Sequence, residues 1–377
     1  MRIGLICPYN YFRPGGVQVT VRELARELKD KGHYVRVIAP RPRRTPSEVD
    51  PGVILIGGSA ELNTFATKAD VGLSISNEKI DAMLAEHNFD VLHFHEPGVP
   101  VLSMQLLSRS RVAHVATLHA TLPEGMVTKS YQKLMSPIAK HMEPRIHILT
   151  AVSEIAKATA RVYVPTADIR IVPNGIRLDQ YIPKKAVKKS NIKTIVYVGR
   201  LEKRKGVKYL IQAYAELRQN FNKLQLIIAG DGDLRPTLEQ YVKKNKIPDI
   251  SFEGFVSENR KIKLMQTADI YCSPAIYGES FGIVLLEAMA AGTIVVAGNN
   301  AGYSSVMTGR GRLSLVDPEA SSDFAQRLEL MLFDEQLQSL WREWSSKYVK
   351  QFEYSKVANS YEKAYKDAIK RWRDQQS

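Results

Sequence analysis

Short apolar segments alternate with amphipathic segments along this chain, and the alternation limits the folds that it can adopt. The apolar segments have the length of strands, and the amphipathic ones have the 3.6-residue spacing of a helix with one buried face. Strands are predicted over 2–8, 34–39, 91–95, 113–119, 194–198, 224–229, 270–273 and 293–297. Helices are predicted over 17–31, 78–87, 206–219, 281–291 and 354–373. This order is typical of parallel sheets covered by helices, so we predict an α/β fold.

The alternation starts again after the turn dipeptide Asn174-Gly175, and residues 184–190 have the lysine-rich composition of a solvated linker. A chain of 377 residues also exceeds the size at which a single hydrophobic core continues to grow. We therefore predict two Rossmann-like domains, 1–172 and 173–353, followed by a long helix within 354–377.

The composition narrows the choice of partner. A formal net charge of +14 predicts an anionic partner, which is a nucleotide, an acidic membrane surface or a nucleic acid. The sequence has no zinc-finger spacing, RNA-binding aromatic signature or helix-turn-helix pattern, so we predict no nucleic-acid partner. It has no apolar run long enough to span a membrane, and residues 1–6 are too short for the core of a signal peptide. Cys7 and Cys272 lie in apolar, strand-like segments, which favours reduced thiols in a cytoplasmic protein.

Two carboxylates flank a glycine-bearing turn at the start of a predicted helix, in the sequence Gly-Glu-Ser-Phe-Gly-Ile-Val-Leu-Leu-Glu at 278–287. The first amides of a helix can bind a diphosphate. The donor-binding candidates in this turn are Ser280, Phe281, Gly282, Ile283 and Val284. Glu279 can accept hydrogen bonds from sugar hydroxyls, and Glu287, about two turns later, from both hydroxyls of a ribose. The alternative is that Glu279 only caps the helix and Glu287 is solvated.

Two other turns follow predicted strands. Pro-Gly-Gly-Val-Gln at 14–18 stands where phosphate-approaching turns stand in such folds, although a plain structural turn remains the alternative. It lacks the full G-x-G-x-x-G pattern, which argues against a nicotinamide dinucleotide. In the basic turn at 199–206, Arg200 and Lys205 can neutralise the charge of a departing nucleoside diphosphate without a metal. Lys203 and Arg204 are expected to be solvated.

The segment at 278–292 resembles the glutamate-pair signature of the retaining family-4 glycosyltransferases of the GT-B fold, and the Gly-Arg…Lys-Gly turn at 199–206 matches the same family. The resemblance implies two Rossmann-like domains facing across a cleft, with the C-terminal helix within 354–377 packed back on the first domain. It implies catalytic roles for His119, Arg200, Lys205 and Glu279. It implies donor contacts at Gly16, Asp231, Val256 and Glu287, and acceptor contacts at Tyr9, Gly15 and Gln18. The co-substrate would be a nucleotide-diphosphate hexose, with no cofactor and no divalent ion required for its binding.

His93 and His95 alternate at the end of another predicted strand and are followed by Glu96 and Pro97, which the resemblance places at the rim of the cleft. Two histidines and a glutamate suggest a metal site at first sight. A zinc site needs at least three protein ligands that converge on one point, and no third ligand is predicted to converge with the two histidines, so we predict no metal.

Within the family, the sequence is similar to the bacterial phosphatidylinositol mannosyltransferases through motifs at 1–4, 7–9, 14–18 and 90–93. One motif differs, because the dense basic helix that those enzymes use for anionic lipid corresponds to 76–83, which is acidic and neutral here. Basic substitutes are present at Arg41, Arg43 and Arg44, and at Lys129, Lys133, Lys140 and Arg145. Each is either a membrane-binding patch or an ordinary solvated face.

We therefore expect a retaining hexosyltransferase that moves mannose from GDP-mannose to a polyol or phosphoinositide-like lipid head group. The expected location is the cytoplasm, with peripheral binding at the inner face of the plasma membrane. The alternatives are a UDP-glucose-type transferase with a soluble sugar acceptor, or a sugar-nucleotide epimerase on the same fold. A non-catalytic sugar-nucleotide-binding module would be suggested by the loss of Glu279, Lys205 or His119, and all three are present.

Overall fold

The computed structural model describes residues 1–13, 15–64, 67–72, 76–99, 101–119, 136–137, 139–162, 164–165, 167–183 and 190–377, with the backbone alone at 60–64 and 67–72. Contacts divide the chain into two units. One comprises Met1–Gly175 together with Tyr354–Ser377, and the other comprises Ile176–Glu353. Each unit is built on a parallel sheet, which confirms the predicted fold class. No helix in the described part of the chain is both long enough and apolar enough to cross a bilayer.

The described part of the first unit contains a seven-stranded sheet in the order β3-β2-β1-β6-β7-β8-β9. Its strands are β1 Arg2–Ile6, β2 Tyr34–Pro40, β3 Val53–Ile56, β6 Val91–His95, β7 Ala113–Leu118, β8 Ile148–Ala151 and β9 Ile169–Ile171. A separate antiparallel hairpin pairs β4 Ser59–Thr64 with β5 Thr67–Gly72. All the residues of β6 are buried, as expected of a central strand that helices cover on both faces.

Helices cover both sides of the parallel sheet of the first unit. In the described part of this unit they include α1 Gly16–Asp30, α2 Asn77–His87, α3 Leu102–Arg109 and α4 Glu154–Arg161, with a 3-10 turn at Glu143–Arg145. The C-terminal helix, Tyr354–Asp374, also belongs to this unit. Its Tyr361 and Tyr365 are buried in one cluster with Val21 and Leu24 of α1 and Val115 of β7. The last helix of the chain therefore completes the core of the first unit.

The second unit is continuous in sequence and contains a six-stranded parallel sheet in the order β12-β11-β10-β13-β14-β15. Its strands are β10 Lys193–Val198, β11 Leu224–Ala229, β12 Ile250–Gly254, β13 Ile270–Ser273, β14 Ile294–Gly298 and β15 Leu315–Val316. Its helices are α5 Leu178–Tyr181, α6 Val207–Asn220, α7 Arg235–Lys244, α8 Glu258–Thr267, α9 Ile283–Ala290, α10 Ala301–Val306, α11 Ser321–Phe333 and α12 Glu335–Tyr348. Its 3-10 turns are Lys203–Lys205, Gly309–Ser314 and Val349–Phe352.

The direction of strand addition reverses once in each sheet. In the first unit β1 pairs with β2 on one side and with β6 on the other, and in the second unit β10 lies in the same way between β11 and β13. Loops that leave the carboxyl ends of strands at such a reversal run in opposite directions and open a crevice. The loops after β1, β6, β10 and β13 carry most of the candidate residues from the sequence.

Candidate active site

The strand reversal of the second unit brings the basic turn and the glutamate-pair segment together. The turn at 199–206 follows β10, and the loop at 274–282 follows β13, which is paired with β10. Tyr271 of β13 donates a hydrogen bond from its hydroxyl to the Val198 carbonyl at 3.2 Å, at the last residue of β10. Segments about 75 residues apart in sequence therefore begin from neighbouring positions at one edge of the sheet.

Glu279 binds two cations from the basic turn with one carboxylate oxygen. Its Oε1 accepts hydrogen bonds from Lys205 Nζ and from Arg204 Nη1, each at 2.7 Å. The same Arg204 nitrogen also donates to the Gly278 carbonyl at 3.2 Å. The expectation that Arg204 is solvated was wrong, because its guanidinium is largely buried between these partners. The spacing of charges within one turn does not reveal an ion-pair partner that belongs to another loop.

A second carboxylate, Glu202, extends the cluster to Arg200. Glu202 accepts a hydrogen bond from Arg204 Nε at 3.0 Å and lies 2.7 Å from Arg200 Nη1. Arg200 is 50% exposed, so its guanidinium faces solvent. Tyr197 holds the backbone at this point by donating from its hydroxyl to the Arg200 carbonyl at 2.8 Å. Three cations face two carboxylates in this cluster, and the excess positive charge suits an anionic ligand.

Lys205, like Arg204, is a largely buried cation of the cluster. Burial lowers the pKa of its ammonium, and the neighbouring Glu279 carboxylate opposes that shift. A largely desolvated cation interacts more strongly with a phosphate than an exposed lysine does, because water screens it less. Lys205 therefore has the surroundings expected of a residue that stabilises a departing diphosphate.

Two glycines in left-handed conformations shape the loops of this site. Gly206, with φ +66°, ends the basic turn, and a Cβ atom there would lie 2.1 Å from the Pro274 carbonyl oxygen. Gly282, with φ +113°, precedes α9, and a Cβ atom there would lie 2.8 Å from the Tyr303 ring. Both positions exclude a side chain by conformation and by space.

The helix of the glutamate-pair segment begins later than predicted. The sequence pattern predicted a helix over 281–291, whereas α9 runs from Ile283 to Ala290 with Gly282 as its N-cap. Phe281 is buried before the helix, 5.9 Å from the Phe352 ring. Of the candidates, Ile283 and Val284 lie in the first turn, where backbone amides face away from the helix, and Ser280, Phe281 and Gly282 lie in the preceding loop.

Glu287 lies about one turn into α9 and is buried rather than solvated. Its Oε1 accepts a hydrogen bond from Lys261 Nζ of α8 at 2.9 Å, and Lys261 also lies 2.7 Å from Glu258. Burial lowers the pKa of Lys261, but the two carboxylates outweigh that effect and raise it overall. Glu287 Oε2 is buried and has no hydrogen-bond partner among the described residues. The Tyr181 hydroxyl also interacts with this carboxylate. Because Oε2 is closed to solvent, a ligand hydroxyl reaches it only if a neighbouring side chain moves.

The remaining donor candidates of the second unit follow β11 and β12. The Asp231 carboxylate accepts a hydrogen bond from the Gly232 amide at 2.8 Å and lies 3.6 Å from Arg235 Nη1. Val256 is half-buried two residues after β12, next to Phe255, whose side chain is 80% exposed. The sequence analysis gave Phe255 no role. The signal that could have identified Phe255 as a candidate is its place as a large aromatic residue directly after the last residue of a strand.

The acceptor candidates of the first unit surround the start of α1. Gly15 is the N-cap of α1 in an extended conformation, and Gly16 is its first residue. Gln18 is buried and donates from Nε2 to the Asn10 carbonyl at 3.3 Å, in the loop that also holds the half-buried Tyr9. Pro14 of this motif lies outside the described residues. These residues follow β1, at the strand reversal of their own unit.

His119 follows β7 and is held in a buried hydrogen-bond network. Its Nε2 lies 2.9 Å from His95 Nδ1, and its backbone amide donates to Glu96 Oε1. Its ring also forms a hydrogen bond with the Asn174 side chain. Burial lowers the pKa of His119 to about 4, so the ring is neutral at pH 7. His119 can therefore act as a neutral hydrogen-bonding group.

His93 and His95 are fully buried in the same unit. His93 hydrogen bonds with the Tyr365 hydroxyl at 2.8 Å and with the Thr117 hydroxyl at 2.6 Å. Burial lowers the pKa of His93 to about 3. Among the residues that the structure describes, no three His, Cys, Asp or Glu side chains are placed to hold a metal ion. Glu96, expected at a rim, is also buried, so this strand end is part of the core.

The basic segments proposed from the sequence are described only in part. Arg41, Arg43 and Arg44 are exposed after β2. Lys129 and Lys133 lie outside the described residues, as does most of the segment that contains them. The helix at the position that corresponds to the basic helix of the mannosyltransferases is α2, whose Ser76 N-cap accepts a hydrogen bond from the Lys79 amide at 3.4 Å.

Comparisons with known proteins give results consistent with this geometry. The family model "Glycosyltransferase Family 4" matches residues 14–180, and "Glycosyl transferases group 1" matches residues 179–348. The phosphatidyl-myo-inositol mannosyltransferase of Mycolicibacterium smegmatis is 33% identical over 378 residues, which cover 97% of this chain and 93% of that protein.

Solved structures with little sequence identity share the fold. Sucrose-phosphate synthase from Thermosynechococcus elongatus has a TM-score of 0.76 at 20% identity, over 97% of this chain and 98% of that one. Anabaena HepE, in complex with UDP and glucose, has a TM-score of 0.73 at 17% identity, over 97% of this chain and 99% of that one. The fold and the family models define a glycosyltransferase of the GT-B class. The chain belongs to the family-4 glycosyltransferases, in the group that also contains the phosphatidyl-myo-inositol mannosyltransferases.

Proposed function

We propose that this protein is a retaining mannosyltransferase that uses GDP-mannose and transfers mannose to the head group of a phosphoinositide-like lipid at the inner face of the plasma membrane. The observation that carries the proposal is the cluster at a strand reversal in which Arg204 and Lys205 bind Glu279 and Arg200 pairs with Glu202. The choice of sugar and acceptor is supported by the name of the mannosyltransferase relative. The retaining course is supported by the resemblance to family 4.

The donor half of the reaction needs charge stabilisation where the diphosphate departs. Arg200 and Lys205 supply fixed positive charge, and the first-turn amides of Ile283 and Val284 supply hydrogen-bond donors. These groups perform the task of the divalent ion in metal-dependent transferases, so donor binding requires no metal. Glu279 keeps a second carboxylate oxygen beside its two cations, and this oxygen can accept from a hydroxyl of the transferred sugar.

We assign the ribose to a residue of α9 and the base to residues that follow β12. Glu287 accepts from the ribose hydroxyls when the side chains that cover its buried Oε2 move aside. The exposed Phe255 ring, beside Val256, offers a surface on which a nucleotide base can stack. Stacking of this kind does not distinguish guanine from uracil.

A second candidate is transfer from UDP-glucose to a soluble sugar. Two observations favour it: HepE, of the same fold, contains UDP and glucose, and α2 lacks the basic surface expected for lipid. Both candidates use the same donor-site residues of the second unit, and they differ in the sugar nucleotide and in the acceptor.

A transfer assay decides between them. Purified enzyme is incubated with GDP-mannose or UDP-glucose, with either phosphatidylinositol in mixed micelles or free myo-inositol as the acceptor. The proposal expects mannosyl-lipid from GDP-mannose with the anomeric configuration of the donor, measured by NMR, and no product from Glu279→Gln. It also expects GDP-mannose binding to persist in excess chelator by isothermal titration. Inverted product, transfer only from UDP-glucose, or loss of binding with chelator would each contradict one part of it.

A further inference from the structure

The outer face of the C-terminal helix carries a row of cations that is interrupted once, by an asparagine. We define the basic stripe as Lys356, Asn359, Lys363, Lys366, Lys370 and Arg373, all of them exposed. These positions follow steps of three and four residues, so they lie within an arc of about 100° along about 26 Å of helix. The opposite face, including Tyr361 and Tyr365, is buried in the first unit. The packing thus fixes the stripe toward solvent.

The acidic residues of this helix are occupied elsewhere. Glu362 pairs with Lys31 at 2.9 Å and with His33 at 2.8 Å. Asp367 pairs with Arg170 at 2.5 Å. Among the described residues, no carboxylate lies within ion-pair distance of a stripe cation. Apart from Asp374 at the last residue of the helix, the exposed charge on this helix is positive. The five stripe cations are therefore available to an external anion.

The helix at the expected lipid-binding position has the opposite character. On α2 the exposed charged residues include Glu78, Asp81 and Glu86, with Lys79 between them. Asp81 is bound by Arg109 of the neighbouring α3, so the Arg109 guanidinium is already paired. An anionic surface is repelled here rather than attracted.

We propose that the basic stripe is the surface through which this protein binds an anionic lipid bilayer. A straight row of lysines on a rigid helix matches an extended layer of phosphates, and a lysine or arginine near such a surface adds to its attraction. The stripe carries no apolar side chain, so the contact is electrostatic adhesion without insertion. It also carries no aromatic ring on which bases could stack, which favours a bilayer over single-stranded nucleic acid. This inference rests on the proposed lipid acceptor.

The test is vesicle sedimentation of the full chain. Vesicles contain phosphatidylcholine alone or with phosphatidylglycerol, at low and at high salt. The stripe variant is K363Q/K366Q/K370Q, in which glutamine keeps length and helix propensity. Its matched control is K223Q/K243Q/K244Q, which removes three exposed lysines of the second unit and changes the net charge equally. Circular dichroism and thermal melting verify that both variants fold.

The wild-type and control proteins should sediment with anionic vesicles at low salt, and the stripe variant should bind about 10²-fold more weakly, because three surface cations are lost. Equal binding by the two variants, or no preference of wild type for anionic vesicles, overturns the inference. Tighter binding to single-stranded RNA than to anionic vesicles at equal phosphate also overturns it.

A second measurement separates this inference from the proposed function. Mannosyl transfer to a short-chain phosphatidylinositol, kept monomeric below its micelle concentration, needs no vesicle. The stripe variant should keep the wild-type rate with this acceptor and lose rate with vesicle-bound acceptor. If wild type fails with the monomeric acceptor but still needs the stripe for vesicle binding, the proposed function is wrong and the stripe assignment stands.

Discussion

Lys205 Nζ and Glu279 Oε1 lie 2.7 Å apart, with side-chain exposures of 16% and 13%. This ion pair joins the turn after β10 to the loop after β13, so each charged group fixes the position of the other. Removing one member of a buried pair usually leaves an uncompensated charge. Here Arg204 remains bound to Glu279, so the carboxylate keeps a partner when Lys205 is lost. The cluster thus permits mutations that test catalysis without unfolding the site.

Replacing Lys205 or Arg200 by alanine should lower kcat/KM by about 10²-fold or more, about 3 kcal/mol, because charge stabilisation of the departing diphosphate is lost. Steady-state transfer or donor hydrolysis measures the effect. The matched control is Lys203→Ala, an exposed lysine of the same turn, which should keep near wild-type turnover. Wild-type turnover in the first two variants would refute the phosphate assignment.

Glu287→Gln should weaken GDP binding about tenfold while leaving 2′,3′-dideoxy-GDP unaffected, because a carboxylate that accepts from ribose hydroxyls is replaced by a weaker acceptor. Isothermal titration with the two nucleotides measures the difference. Glu258→Gln is the control, since it also removes a partner of Lys261 but leaves Glu287 in place. An equal loss for both nucleotides would show that Glu287 acts only through Lys261.

Gly282→Ala should reduce both stability and donor affinity, whereas Gly292→Ala should affect stability alone. Both glycines have positive φ values, at 113° and 78°, so a side chain costs about 1–2 kcal/mol at either site. A Cβ atom at Gly282 also meets the Tyr303 ring at 2.8 Å, while nothing lies within 4 Å at Gly292. Urea unfolding and donor titration of both variants test the difference. Equal free energies of unfolding would show that Tyr303 yields without cost.

The first unit should lose stability as the pH falls from about 6.5 toward 5. Burial lowers the pKa of His93 to about 3 and that of His119 to about 4, below the ordinary value of 6.5. The unfolded chain therefore binds more protons in this interval, and protonation favours unfolding. The contribution is complete above the unfolded pKa and is lost as the pH falls toward the folded pKa. Carboxylates whose pKa is lowered in the folded protein affect its stability only at lower pH.

Thermal melting between pH 7.5 and 5 measures this dependence. His93→Asn should have a lower Tm at pH 7.5 but a shallower decline of Tm with falling pH, because one buried neutral histidine is gone. His141→Gln, at an exposed position, should keep the wild-type slope. A Tm of the wild type that does not change over this interval would show that the buried histidines titrate normally.

The local sequence pattern was sufficient to predict the fold class and the exact bounds of several strands. The apolar runs at Val91–His95 and Leu224–Ala229 form strands with the predicted bounds, because a strand buried on both faces needs little more than its own composition. The start of α9 was placed two residues too early, because the apolar Phe281 continues the helical pattern while Gly282 adopts a left-handed conformation. Periodicity carries no information about the sign of φ.

The contacts of the candidate site depended on tertiary structure in a way that no local pattern contains. Arg204 was taken for a solvated residue, since its partner Glu279 lies 75 positions away and reaches it only through the pairing of β10 with β13. The burial of Glu96 has a similar origin, because its carboxylate binds the His119 amide after the neighbouring strand β7. The residue types indicated the chemistry of the site, whereas the contact partners of these residues depend on the order of the strands in the sheet.

The C-terminal helix also determines the order in which a newly made chain can finish folding. Translation releases the continuous second unit, Ile176–Glu353, before Tyr361 and Tyr365 leave the ribosome. The part that is synthesised first is therefore completed after the second unit, since its core lacks those rings until residues 354–374 emerge. A nascent chain that has reached Glu353 displays an uncovered apolar sheet face, which is the kind of surface that chaperones bind.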